Sequence, residues 1–167
     1  MKNIELNDLI IDGVFYLGLR VGLPKNEIEK ILGKSLTNAD IETPDLLCFY
    51  VELVTGLVIT IFFDKEDICY EIDLKFEENR HSKLILKVAQ RTEKIDSTTP
   101  FDKLILNFLK LNLDWAFDNK RVYLQTVCIR LMNGLRLYYA FGSQVDNDYG
   151  LFSIKSILET HRFAALP

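Results

Sequence analysis

Leu47-Cys48-Phe49-Tyr50-Val51-Glu52-Leu53, Val54-Thr55-Gly56, Leu57-Val58-Ile59-Thr60-Ile61-Phe62-Phe63 reads as two strands joined at a glycine. The question is how long the turn is. A two-residue Thr55-Gly56 turn would place Glu52 on the same side as Leu57, Ile59 and Ile61. A three-residue loop with Gly56 in the left-handed conformation instead collects Phe49, Val51, Leu53, Leu57, Ile59, Ile61 and Phe63 on one face. The longer loop separates oil from charge, and it is the one expected.

A second stretch repeats the arrangement. Val127-Cys128-Ile129-Arg130-Leu131, Met132-Asn133-Gly134, Leu135-Arg136-Leu137-Tyr138-Tyr139-Ala140-Phe141 is again two strands around a Gly-closed loop. Here Val127, Ile129, Leu131, Leu135, Leu137, Tyr139 and Phe141 share the inward face. Arg130 and Arg136 then point outward, and a slip of one residue would bury both. A third strand is expected after each hairpin. In the first, Ile68, Tyr70, Ile72, Leu74 and Phe76 face in, against Cys69, Glu71, Asp73 and Lys75. In the second, within Leu151 to Ile157, Phe152 and Ile154 face in, against Ser153 and Lys155.

A helix precedes each three-stranded group. Pro24 opens the first, Ile28, Ile31 and Leu32 form its apolar stripe, and Gly33 closes it in the left-handed region. Thr99 as N-cap, Pro100 as first residue and Asp102 in the first turn open the second. Its stripe is Phe101, Leu104, Ile105, Phe108 and Leu109. Leu84 to Val88, and Val14 to Val21, are candidate strands ahead of the helices, and residues 77–97 are the expected bridge. Ser143 to Gly150 reads as a polar loop.

The fold expected is therefore α+β within one domain, 1–167, built from two similar units at roughly 13–78 and 84–157. Each unit is a helix followed by a three-stranded antiparallel meander. Pro24 and Pro100 are 76 positions apart, and Gly56 and Gly134 are 78 apart, which suggests a duplication.

Composition narrows the function. The chain has 167 residues, 49% hydrophobic and 26% charged, which supports a packed core rather than disorder. A net charge of −4 offers no positive field to gather phosphates, so nucleic acid is not expected as a partner. Residues 1–83 carry 16 acids against 9 bases, and residues 84–167 carry 8 against 11. The longest apolar run, Leu53 to Phe63, is too short to span a bilayer, and the N-terminus shows no leader-like apolar run. Cys48, Cys69 and Cys128 sit apart in apolar runs, as reduced thiols do. A cytoplasmic protein is expected.

Catalytic signatures are weak. Gly33-Lys34-Ser35 ends a helix instead of starting one, and Ile28 stands where a phosphate-binding loop needs its first glycine. His81 and His161 have no second ligand at metal-binding spacing, and no nucleophile elbow is present. The sequence thus points to no cofactor, no metal and no enzymatic activity. The strongest charge feature is Asp64, Glu66, Asp67, Glu71 and Asp73. With Tyr50 and Tyr138 as aromatic anchors, the acids Glu66, Asp67, Glu71 and Asp73 are the candidate partner-binding residues.

Gly18-Leu19-Arg20-Val21-Gly22-Leu23-Pro24-Lys25-Asn26-Glu27-Ile28-Glu29-Lys30-Ile31-Leu32-Gly33 resembles the opening motif of small bacterial α+β proteins, including the BamE-like lipoprotein domain. The lipobox cysteine of those lipoproteins is missing. Over residues 13–157 the chain is more similar to small cytoplasmic bacterial immunity proteins of polymorphic toxins. There a helix like Thr98 to Trp115 precedes a hairpin and a last strand like Tyr149 to Ile157. That resemblance implies an immunity or inhibitor protein that occludes a partner, with a basic toxin domain as the expected target. Two other readings stay open: a ligand-binding or catalytic domain with a pocket between the units, and a homodimer whose sheets pair.

Overall fold

In the computed structural model the described residues are 9–11, 14–15, 18–36, 40–43, 46–52, 58–76, 83–122, 124–131, 135–142 and 149–158. Twelve strands and two α-helices follow one another in a repeated order. The first half has β1 (Leu9–Ile11), β2 (Val14–Phe15), α1 (Lys25–Leu32), β3 (Asp40–Thr43), β4 (Leu46–Glu52), β5 (Val58–Phe63) and β6 (Cys69–Lys75). The second has β7 (Leu84–Val88), β8 (Arg91–Ile95), α2 (Phe101–Leu111), β9 (Trp115–Phe117), β10 (Thr126–Leu131), β11 (Leu135–Phe141) and β12 (Tyr149–Ile157).

The strands form an eight-stranded sheet in the order β3-β4-β5-β6-β12-β11-β10-β9 and a four-stranded sheet in the order β2-β1-β7-β8. Every neighbouring pair is antiparallel. The protein is thus α+β, as expected, and both meanders are present. They join through their third strands, β6 against β12. Residues 84–95 are more than a bridge, since they form the β7–β8 hairpin of the smaller sheet. Of the described residues in the stretch Val14 to Val21, Val14–Phe15 are strand and 18–21 are not.

The hairpin registers are those the longer loops require. Glu52 lies opposite Val58, and Arg130 opposite Arg136. The loops themselves, with Leu53, Gly56, Leu57 and Gly134, lie outside the described residues. So do His81 and His161.

One core gathers inward side chains from both halves. Phe49, Ile61 and Leu74 of the first meander, Ile129, Leu137 and Ile154 of the second, Ile28 of α1, Phe108 of α2 and Leu84 of β7 are all buried in it. Antiparallel strands with one apolar face need such a cover, and here the helices and the small sheet supply it.

Two bulges change the sidedness expected for the third strands. Between Phe62 and Phe63 the register with β6 shifts, so that Phe63 meets Cys69. Cys69 therefore joins the core, and Tyr70 turns outward to pack on Phe62 with ring centroids 6.1 Å apart. Between Tyr138 and Tyr139 the register with β12 shifts likewise. Leu151 takes the core position, and Phe152 packs on Tyr138 at 6.0 Å. An extra residue in one strand reverses the facing of everything beyond it. Phe141, expected inside, sits at the rim and is 43% exposed.

The helix ends also differ in detail. Gly33 does close α1 at φ 65°, but Pro24 and Pro100 are extended residues just ahead of their helices. Thr99 does not cap α2. Its hydroxyl donates to Asp96 Oδ1 at 3.2 Å and accepts from the Asp96 N–H at 2.9 Å, closing the turn that leads into the helix. Among the described residues no helix is long and apolar enough to cross a membrane.

Candidate functional site

The outward face of the large sheet holds the residues singled out from sequence. The strand registers align Tyr50, Thr60, Asp73, Lys155, Arg136 and Arg130 as one row across six strands. Asp73 is only 1% exposed, and Glu71 is buried as well. Neither belongs to a solvated acidic face, because both are buried and a lysine from the other meander pairs with them. Lys155 Nζ lies 2.8 Å from Glu71 Oε1 and 3.0 Å from Asp73 Oδ2. Ser153 completes the shell, its hydroxyl donating to Asp73 Oδ1 at 2.6 Å.

Burial alone would pull the Lys155 ammonium below its ordinary pKa. The nearby charges of Asp73 and Glu71, with their hydrogen bonds, outweigh that and hold it well above. Such a lysine is a fixed cation. Tyr138 flanks the network, its ring 5.9 Å from Lys155 Nζ. Burial pushes its phenol up to about 12, with Cys128 adding to the effect and Arg121 opposing it.

The six expected residues do not form one site. Tyr50 shares the row of Asp73 and is partly exposed, while Tyr138 stands in the adjacent row. Glu66 and Asp67 are exposed at the tip of the β5–β6 turn. There Asp64 Oδ1 accepts the N–H groups of Glu66 and Ile68, each at 2.9 Å. The Asp67 carbonyl accepts the Lys25 N–H at 2.8 Å, which ties that turn to the start of α1.

All three cysteines are buried. Burial raises the Cys69 thiol to about 12 and lifts Cys128 as well, so both are poor nucleophiles. Among the described residues no group of acids, cysteines and histidines could hold a metal ion.

A different surface emerges at the β9 edge. Phe101 of α2 stacks on Phe117 with centroids 6.4 Å apart and contacts Phe141 at 4.9 Å. Tyr139 links Phe141 to Tyr149, at 5.0 and 5.6 Å. Trp115 joins from below, 5.4 Å from Phe117 and 6.4 Å from Phe108. Buried at its Tyr139–Phe108 base, the cluster opens at its rim, where Phe117 is 49% exposed and Tyr149 and Phe141 are also exposed. Beside it, Leu124 is 83% exposed and held at φ 50°. A bulky side chain in the left-handed region is costly, and so is leaving it in water.

Sequence reasoning missed this corner. Its signal was Trp115-Ala116-Phe117, two aromatics flanking a small residue, too short to register as a strand without its partner β10. Comparison with protein-family models, with curated proteins and with solved structures found no match.

Proposed function

We propose that this chain is a protein-binding module of the immunity or inhibitor kind, acting by occlusion, and that the aromatic corner beside β9 is its contact surface. The observation that carries this reading is the set of connected rings, Phe101, Phe117, Phe141 and Tyr149, anchored in the core and open at the rim. Rigid aromatic groups already held by their neighbours lose little freedom on binding, which is why they dominate protein contacts. Glu71 and Asp73 lend no support to a basic partner, since both are buried and already paired with Lys155.

A pocket between the units finds less support. A groove of about 410 Å³ is lined by Arg91, Thr92, Glu93 and Lys110, all from the second half. Its charges are engaged, with Lys110 3.3 Å from Glu93 and Arg91 donating to the Lys110 carbonyl at 2.8 Å. The mirrored strand orders favour reading the two halves as a duplication: hairpin, helix, short edge strand and meander occur in each.

Photo-cross-linking in the source cells tests the function. Benzoylphenylalanine at Phe141 or Leu124 should trap a discrete second protein, and the same group at exposed Lys87 on β7 should not. Equal trapping at all three positions, or none at any, would remove the corner as a contact surface.

A further inference from the structure

We infer that the free edge of β9 receives an extended partner segment whose residues alternate between acidic and apolar, added as a further strand of the large sheet. This rests on the protein-binding reading above and specifies the chemistry of the partner.

The backbone is the first element. β9 ends the eight-stranded order, and among the described residues nothing pairs with its outer side. The Asp118 N–H donates to the Cys128 carbonyl at 2.8 Å, which makes Asp118 and Cys128 a hydrogen-bonded pair. Two residues back, Ala116 and Arg130 are the next such pair. Trp115 and Phe117 are therefore the residues whose N–H and C=O groups point away from β10. A strand laid there satisfies an edge that is otherwise open.

The two faces of that edge differ in chemistry. Trp115 and Phe117 turn toward α2, so every second residue of an added strand meets the aromatic corner. The intervening residues meet Ala116, whose methyl group leaves the Arg130 guanidinium behind it accessible from the edge. Arg130 is exposed, lies directly across from Arg136, and has no acidic partner among the described residues. Asp118 serves Arg136 at 3.2 Å and also Arg121 at 3.8 Å. Arg121 and Arg136 thus share Asp118, and the exposed Arg130 adds a guanidinium beside them that has no carboxylate of its own among the described residues. Apolar residues on one side and carboxylates on the other match both faces at the two-residue period of a strand.

The same charges argue against a second copy of this chain. A twofold-symmetric pairing of β9 with β9 centred on Ala116 would put both Arg130 side chains in one row with no carboxylate between them.

A fluorescein-labelled peptide of alternating glutamate and valine, titrated with the full chain and followed by anisotropy, tests the inference. It should bind about tenfold or more tightly than an alternating lysine–valine peptide and weaken as salt rises. Arg130→Glu should reverse that preference, with Arg121→Glu as a second variant should the first fold poorly by circular dichroism. N-methylation of alternate peptide residues, which leaves the protein untouched, should abolish binding on one edge pattern and spare it on the other. Equal affinity for the two peptides, indifference to Arg130→Glu, or indifference to both methylation patterns would overturn the inference. So would a dimer in sedimentation that Phe117→Ser dissolves. A protein trapped at Phe141 together with no peptide preference would sink the acidic strand and leave the protein-binding reading standing. No trapped protein would remove that reading itself.

Discussion

Lys155 holds two carboxylates that would otherwise repel each other inside the sheet face. Its contacts with Glu71 and Asp73 span the junction of the two meanders. Asp73 has almost no access to water, so removal of its cation leaves a buried charge without compensation. Lys155→Met should destabilise the protein by about 3 kcal/mol, read as a lowered urea midpoint. Glu71→Gln should cost about 1 kcal/mol or less, because Asp73 and Ser153 keep the network closed. If Lys155→Met were neutral, the pair would be no more than a surface ion pair.

At the scale of elements, the two bulges and Gly150 set how the second meander docks. Gly150, near the start of β12, sits at φ 115°, and a Cβ there would lie 2.1 Å from the Ser97 carbonyl oxygen. The glycine lets the strand touch the turn that leads into α2. Since that obstacle is backbone, it cannot swing aside, and Gly150→Ala should cost about 3 kcal/mol. Gly22→Ala, at φ 84° but with its nearest obstacle a leucine methyl at 3.8 Å, should cost only about 1 kcal/mol. Thermal denaturation of the two variants side by side checks this order; a reversal would mean that the approach at Ser97 relaxes freely. The hairpin faces were legible from alternation, because a slip would have turned Arg130 and Arg136 toward the core; that Arg136 is covered even on the outer face, 4% exposed and 3.2 Å from Asp118, was not. The bulges were not, since a shift in register belongs to a pair of strands and leaves no mark in either alone.

For the molecule as a whole, the charge balance makes alkaline pH the direction of weakness. Cys69 rises from an ordinary 9.0 to about 12, and Tyr70 and Tyr138 from 10.0 to about 12. Lys155 is raised too. In each case the folded state holds its proton more tightly than the unfolded chain does. The contribution of these groups is therefore full below about pH 9, falls as pH climbs from about 9 to 12, and is not regained above that range. Urea midpoints measured across the range should show the decline, and Tyr138→Phe should make it shallower. A flat profile would mean that these groups are hydrated in the folded state.

The sequence alone determined the mixed class, the two helices and, Phe141 excepted, the inward face of each hairpin over its described residues. Those follow from side-chain periodicity and Gly or Pro at the ends, which act within about ten residues of chain. It also showed that Glu71 and Asp73 share a face. Only the tertiary structure decided what that face is, because the cation that pairs with both acids comes from a strand 84 positions further along from Glu71. The open edge of β9 was likewise a tertiary matter: whether a strand is an edge depends on which neighbours arrive, and that is settled by the packing of the whole chain.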